Sequence, residues 1–247
     1  MKNLSRCDQL LNEAYKFINN ENYKEAENII NLLLSDSSSP DKYDHKQWEC
    51  IANLSLYVGN IKNSIYAHQY SNNLPGYAFV LILNNQYQEA KDVLEKANKS
   101  PAYYWSLFLL ELVTPKSKVK HLPTFLQIRH FLEFTVYQII ILKRYNLLEK
   151  IFIILPDLLE INTDCEKFVG YAYYRTGYIE DAIFYLKLSL ARNQYDGEIY
   201  YRLGEIYLSN NEPFEALSML TNAQLLLPDH HPTKLLIEKT KQLISLN

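Results

Sequence analysis

Two consecutive stretches of 34 residues between Thr163 and His230 repeat one spacing of large and small side chains. With Ala182 aligned to Ala216, the second copy places Tyr200, Leu203, Gly204, Tyr207, Asn211, Ala216, Leu220, Ala223 and Pro228 at offsets 4, 7, 8, 11, 15, 20, 24, 27 and 32. The first supplies Glu166, Val169, Gly170, Tyr173, Gly177, Ala182, Leu186 and Ser189 at the first eight of those offsets. Offsets 4, 7, 8 and 11 share one helical face, and offsets 20, 24 and 27 share another, so each copy reads as two amphipathic helices. Gly177 and Asn211 tolerate a left-handed backbone and mark the turn between them. Gly170, Gly204, Ala182 and Ala216 mark the places where helices approach closely. A lone pair of this kind cannot bury both apolar faces; stacking the next pair on it does, which is why the pattern repeats.

These positions resemble the tetratricopeptide (TPR) repeat in period and in large/small/large pattern. The resemblance implies an all-α fold, a right-handed α-α superhelix of about six helical pairs with a C-terminal capping helix, forming a single domain over residues 1–247. Regular repeats are expected at 163–230, an irregular middle at 101–162 and the cap at 231–247. Residues 8–34 read as a first pair, with Asn19–Asn22 as its turn. In the second pair Trp48, Ile51, Ala52 and Ser55 fall on the repeat offsets with Gly59 at the turn, and Pro75-Gly76 is expected to close it. The third turns at Asn84-Asn85, only 26 residues after Gly59, so the helices around Pro75 must be short.

From Pro101 to Glu160 the pattern weakens. One helix is expected over 102–112, a basic loop over 116–121, a long helix starting near Pro123 and reaching Lys143 or Arg144, and another from Asn146 to Leu155, with Pro156 kinking it or opening a further turn to Ile161. The long helix is apolar on more than one face, through Ile128, Leu132, Val136, Ile139 and Ile140 among others. Either neighbouring repeats wrap it, or one side is a surface for a partner or a second copy. The last helix is expected to pack through Leu235, Leu236, Leu243 and Ile244.

Composition narrows the function classes. A formal net charge of -3 and a pI near 6.1 provide no bulk basic field for nucleic acid or an anionic membrane. A local basic stretch with aromatic neighbours (Lys116, Lys118, Lys120, His121, Arg129 and His130 beside Phe125 and Phe131) is the only nucleic-acid candidate, and it lacks a recognised module. Charged residues interrupt the greasiest region, 131–161, so no membrane span is expected, and Asp8, Asn12 and Glu13 break the N-terminal run, leaving no continuous apolar core for a secretory signal. Cys7, Cys50 and Cys165 are odd in number and lack CxxC spacing, which favours a reducing compartment, hence a cytoplasmic protein, over a disulfide framework. No nucleophile motif, phosphate loop or dinucleotide fingerprint is present, and His230-His231 has no ligand set around it. The chain is therefore read as non-catalytic, without cofactor or metal.

What remains is surface. Tyrosine is over-supplied, 21 of the chain's residues, and such rings suit positions half in and half out of a groove, or simply large packing positions. In TPR proteins the first helix of each pair lines a concave face, and offsets 2, 5, 9, 12 and 13 commonly point at a peptide partner. Here the resemblance implies a partner-binding set of Tyr15, Tyr57, Phe79, Lys167, Tyr171, Tyr174, Arg175 and Tyr201. Some TPR modules hold a chaperone's C-terminal carboxylate with a Lys/Asn/Asn/Lys/Arg set. Lys167 matches the first position, but Tyr171 and Arg202 replace Asn and Glu198 replaces Lys, so that ligand does not fit. The expectation is an interaction scaffold or adaptor for a protein or peptide; the alternative is a structural subunit that homo-oligomerises or assembles into a larger complex through the hydrophobic helices at 123–161.

Overall fold

A computed structural model describes residues 5–35, 40–114 and 119–246. Among them are fourteen α-helices, one 3-10 turn at Pro40–Lys42 and no strand. In chain order the helices are α1 Arg6–Asn19, α2 Tyr23–Ser35, α3 His45–Tyr57, α4 Ile61–His68, α5 Leu74–Leu83, α6 Tyr87–Glu95 and α7 Pro101–Val113. They continue with α8 Phe125–Ile141, α9 Tyr145–Ile161, α10 Cys165–Arg175, α11 Ile179–Arg192, α12 Gly197–Ser209, α13 Pro213–Leu226 and α14 His231–Leu246. Of the loops expected at 35–41 and 116–121, residues 36–39 and 116–118 lie outside the described set, as does Pro115.

One local device makes hairpins of twelve of these helices. Glu21, Gly59, Asn85, Lys143, Gly177 and Asn211 each have a positive φ, between 56° and 79°. The next amide in each case donates to the carbonyl five residues back: Asn22 to Phe17, Asn60 to Ser55, Gln86 to Leu81, Arg144 to Ile139, Tyr178 to Tyr173 and Glu212 to Tyr207, all at 2.8–3.0 Å. This Schellman geometry satisfies the last carbonyls of the first helix and reverses the chain within two residues, so that the second helix starts two positions after the left-handed residue. Helices α7 and α14 stand outside the six hairpins. Lys143 lies one 34-residue period before Gly177, so the repeat register runs back into the stretch that the sequence pattern leaves irregular.

The contacts divide the chain into two compact units, Met1–Gln127 with Gln138–Ile153, and Ile128–Tyr137 with Ile154–Asn247. In the first, α4 and α5 are short at 8 and 10 residues, as the 26-residue interval requires. Pro75 and Gly76 do not close a pair. They occupy the first turn of α5, where proline needs no amide partner, and the Asn73 side chain caps the helix by accepting from the Gly76 amide at 2.9 Å. α5 is enclosed by α4, α6 and α7, and Tyr77 through Leu83 are all buried. Pro123 likewise sits just outside its helix: Thr124 caps α8 in a reciprocal box with Gln127.

In the second unit the small residues act as expected. A Cβ placed on Gly170 would lie 2.8 Å from Leu186 Cγ, and one on Gly204 only 2.5 Å from Leu220 Cγ, so only glycine lets α10 meet α11 and α12 meet α13 this closely. The last helix is rotated from the expected face. Leu235 and Leu243 are 52% and 39% exposed, while Thr233, Ile237 and Thr240 are buried. Thr240 can be buried because its hydroxyl donates to the Leu236 carbonyl, leaving the methyl to pack. Every residue of α8 from Thr135 to Ile140 is buried.

Candidate protein-interaction surface

The two most regular hairpins bring five of the eight expected anchors to their first helices, α10 and α12. Lys167 enters from α10 and donates through Nζ to Asp196 Oδ2 and Glu198 Oε2, both at 2.7 Å. Asp196 is also the N-cap of α12, accepting from the Glu198 and Ile199 amides, so one ammonium ties α10 to the start of α12. Burial opposes the charge on Lys167, but the hydrogen bonds to Asp196 and Glu198 outweigh it and hold the amine above the usual lysine range. A second tie runs from Arg192, at the end of α11, to Glu166 on α10, with Nε 2.8 Å from Oε2.

Beyond Lys167 the face is aromatic. The Arg202 guanidinium of α12 lies 4.9 Å from the Tyr174 ring centroid and 5.7 Å from that of Tyr171, and its Nη1 donates to Glu205 Oε2 at 2.6 Å. Tyr201 donates its hydroxyl to Glu205 Oε1 at 2.7 Å, and its ring meets His230 edge-on at 4.7 Å. Burial pushes the Tyr171 and Tyr201 phenols up to about 12, the Glu205 carboxylate adding to the shift at Tyr201. Tyr171, Tyr174 and Tyr201 remain half-buried rather than sealed. Arg175 is exposed and faces the other way along α10, stacked 4.5 Å over Tyr137 and paired with Glu133 at 3.3 Å.

The first unit scatters the remaining anchors. Tyr15 is half-buried, with its hydroxyl engaged by the Cys50 thiol, and Tyr57 is half-buried on α3. Phe79 is corrected: at 9% exposure, on a helix covered from three sides, it offers no docking surface. The basic stretch is partly consumed within the fold, because Glu111 accepts from the Lys120 and His121 amides and lies 2.7 Å from His121 Nδ1. His68 is the satisfied core histidine that its repeat position suggests, 2% exposed with Nδ1 3.2 Å from Ser71 Oγ, and burial pushes it down to about 4. Arg202, Glu205 and His230 are not among the expected anchors. The signal for the first two is their i,i+3 spacing on the anchor helix; His230 carries none, since only the fold of the α13–α14 loop brings it to Tyr201.

No known family profile matches the chain, and no curated protein does. Solved structures with a similar course include a tetratricopeptide repeat protein from Parabacteroides merdae, at 13% identity and TM-score 0.38, covering 95% of this chain and 98% of that one. Another is a thermophilic TPR protein of Thermus thermophilus, at 14% identity and TM-score 0.33, covering 96% and 99%. On its own turns and glycine crossings, the chain is an all-α array of TPR-like helical hairpins. No described helix is long and apolar enough to cross a membrane, and the described residues hold no group of three His, Cys, Asp or Glu that could bind a metal ion.

Proposed function

We propose that this chain is a non-catalytic interaction scaffold that docks a protein or peptide partner against α10 and α12. The observation that carries the reading is the Arg202 guanidinium held between Tyr171 and Tyr174 and fastened by Glu205. Rings and cation already fixed against one another lose little freedom when a partner arrives, which is what a binding anchor needs. Lys167 is neutralised within the chain by two carboxylates, so a partner's terminal carboxylate finds no free ammonium there, and aromatic and apolar side chains are the better match. Phenols raised to about 12 are also poorly placed for proton transfer near neutral pH, in keeping with binding rather than catalysis. Three free cysteines agree with a reducing, cytoplasmic setting.

With a partner recovered by affinity capture, replacing Tyr174 and Tyr201 by alanine weakens its binding about tenfold or more, the scale of losing a hot-spot anchor. Unchanged affinity in both variants overturns the reading. Self-assembly through 123–161 is the second reading, favoured by Phe125 and Leu126, 45% and 67% exposed on the first turn of α8. A monomer mass in light scattering that does not change with concentration removes it.

A further inference from the structure

Two open clefts in the first unit meet at the start of α3 and share Asp44, His45 and Asn72. The first, of 470 Å³, has an aromatic floor of Tyr43, Trp48 and Tyr70, with Trp48 edge-on to Tyr43 at 5.2 Å and tilted against Tyr70 at 5.0 Å. Past His45 it continues into the second, of 780 Å³, which reaches Glu49 and Asn73. Their shared residues set the two clefts side by side as one groove across the start of α3.

The rim of the aromatic cleft is rich in acceptors. Asp41 and Asp44 are both exposed there. His45 Nδ1 lies 2.8 Å from the Tyr70 carbonyl, which can only accept, so Nδ1 carries a proton there. Among the described residues, no lysine or arginine lines this cleft. Lys42 instead lies 5.9 Å over the Tyr43 ring and lines a separate 280 Å³ cleft with Arg6, while Lys46 lines only the wider half of the groove, together with Glu49. The α3 dipole would oppose a cation at this end. Its effect is blunted, because the Asp44 side chain already accepts from the Gln47 amide at 2.8 Å and adds a full negative charge.

From this one-sided chemistry we propose that the groove binds a basic, extended peptide segment of a partner protein. One lysine or arginine side chain enters the aromatic cleft, its stem over Tyr70 and its charged head between Asp41 and Asp44, and the following residues pass His45 toward Glu49. Charge-assisted hydrogen bonds to the carboxylates supply the attraction, and the aromatic floor takes the aliphatic stem. This surface is separate from the α10–α12 face, and its test does not depend on that reading.

The test titrates the full chain against a fluorescein-labelled arginine-glycine repeat peptide, with a glutamate-glycine peptide as control, at physiological ionic strength. Saturable binding of the arginine peptide alone is expected, weakened about tenfold by Asp41→Asn with Asp44→Asn, two charge-assisted contacts being removed. Asparagine still caps α3, so the double variant keeps the helix start, and Asp41→Asn alone, which touches no helix cap, is expected to weaken binding severalfold. Tyr174→Ala leaves the affinity unchanged. Absence of saturable binding overturns the proposal, as does equal affinity for the Asp41→Asn chain, since the peptide would then be held by the overall negative charge or at another place.

Discussion

The two units hide polar groups in opposite ways. The first buries a neutral imidazole, His68, against the hydroxyl of Ser71, and the second buries one charge of each opposed set, Lys167 against Asp196 and the exposed Glu198, and Glu166 against the exposed Arg192. A neutral pair is cheap to form and fails when one member gains a proton. An opposed pair tolerates ordinary pH but fails when one member is removed, because the survivor is left charged in a poor solvent. The same repeat architecture therefore holds two sensitivities, one to acid and one to truncation.

Removing the ammonium is the strongest way to break this contrast. Lys167→Met leaves Asp196 without its cation and is expected to lower stability in urea unfolding by about 3 kcal/mol, the low end for a broken buried pair because Glu198 reaches solvent. A loss below about 1 kcal/mol would put the tie in the class of surface ion pairs.

Acid tests the other half. His68 titrates near 4 in the folded chain against 6.5 in an unfolded one, so between those values the unfolded chain binds more protons and stability falls as pH drops. The full effect is about 3 kcal/mol at the bottom of the window and somewhat less when part of it is reached. Unfolding midpoints measured from about pH 7 down to about pH 4 should slope downward in the native chain and flatten in His68→Gln. An identical slope in that variant would assign the acid sensitivity elsewhere.

The smallest effect sharpens the comparison. Ser71→Ala removes the neutral partner of the His68 ring, together with the contacts of its hydroxyl to the His68 carbonyl and the Asn73 amide, and is expected to lower stability by about 1 kcal/mol, roughly a third of the Lys167→Met effect. If the two losses were equal, buried neutral and buried charged pairs would not differ here in the way proposed.

How much of this is legible in the sequence depends on whether a residue type advertises its conformation. Gly59, Asn85, Gly177 and Asn211 are readable as turns because glycine and asparagine accept a left-handed backbone readily. Lys143 adopts the same geometry with φ 56° and gives no such hint; the helix break at Lys143 or Arg144 is legible, but its strict register with Gly177 is not. Periodicity reveals which face of a helix is apolar but not how far the helix is rotated against its neighbour. That is why α14 packs through Thr233, Ile237 and Thr240 and not through Leu235 and Leu243. The anchors Lys167, Tyr171, Tyr174 and Tyr201 can be placed by offset alone. Their cross-helix partners cannot, since the loop that returns Asp196 to Lys167 is irregular and carries no period.

The double tether on Lys167 has a practical corollary. An amine held by two carboxylates and kept protonated well into alkali is a weak nucleophile, so activated esters that acylate exposed lysines should pass it by while α10 and α12 stay together. Lys167 then serves as a built-in reporter, whose labelling would register local opening of this hairpin junction before the chain as a whole comes apart.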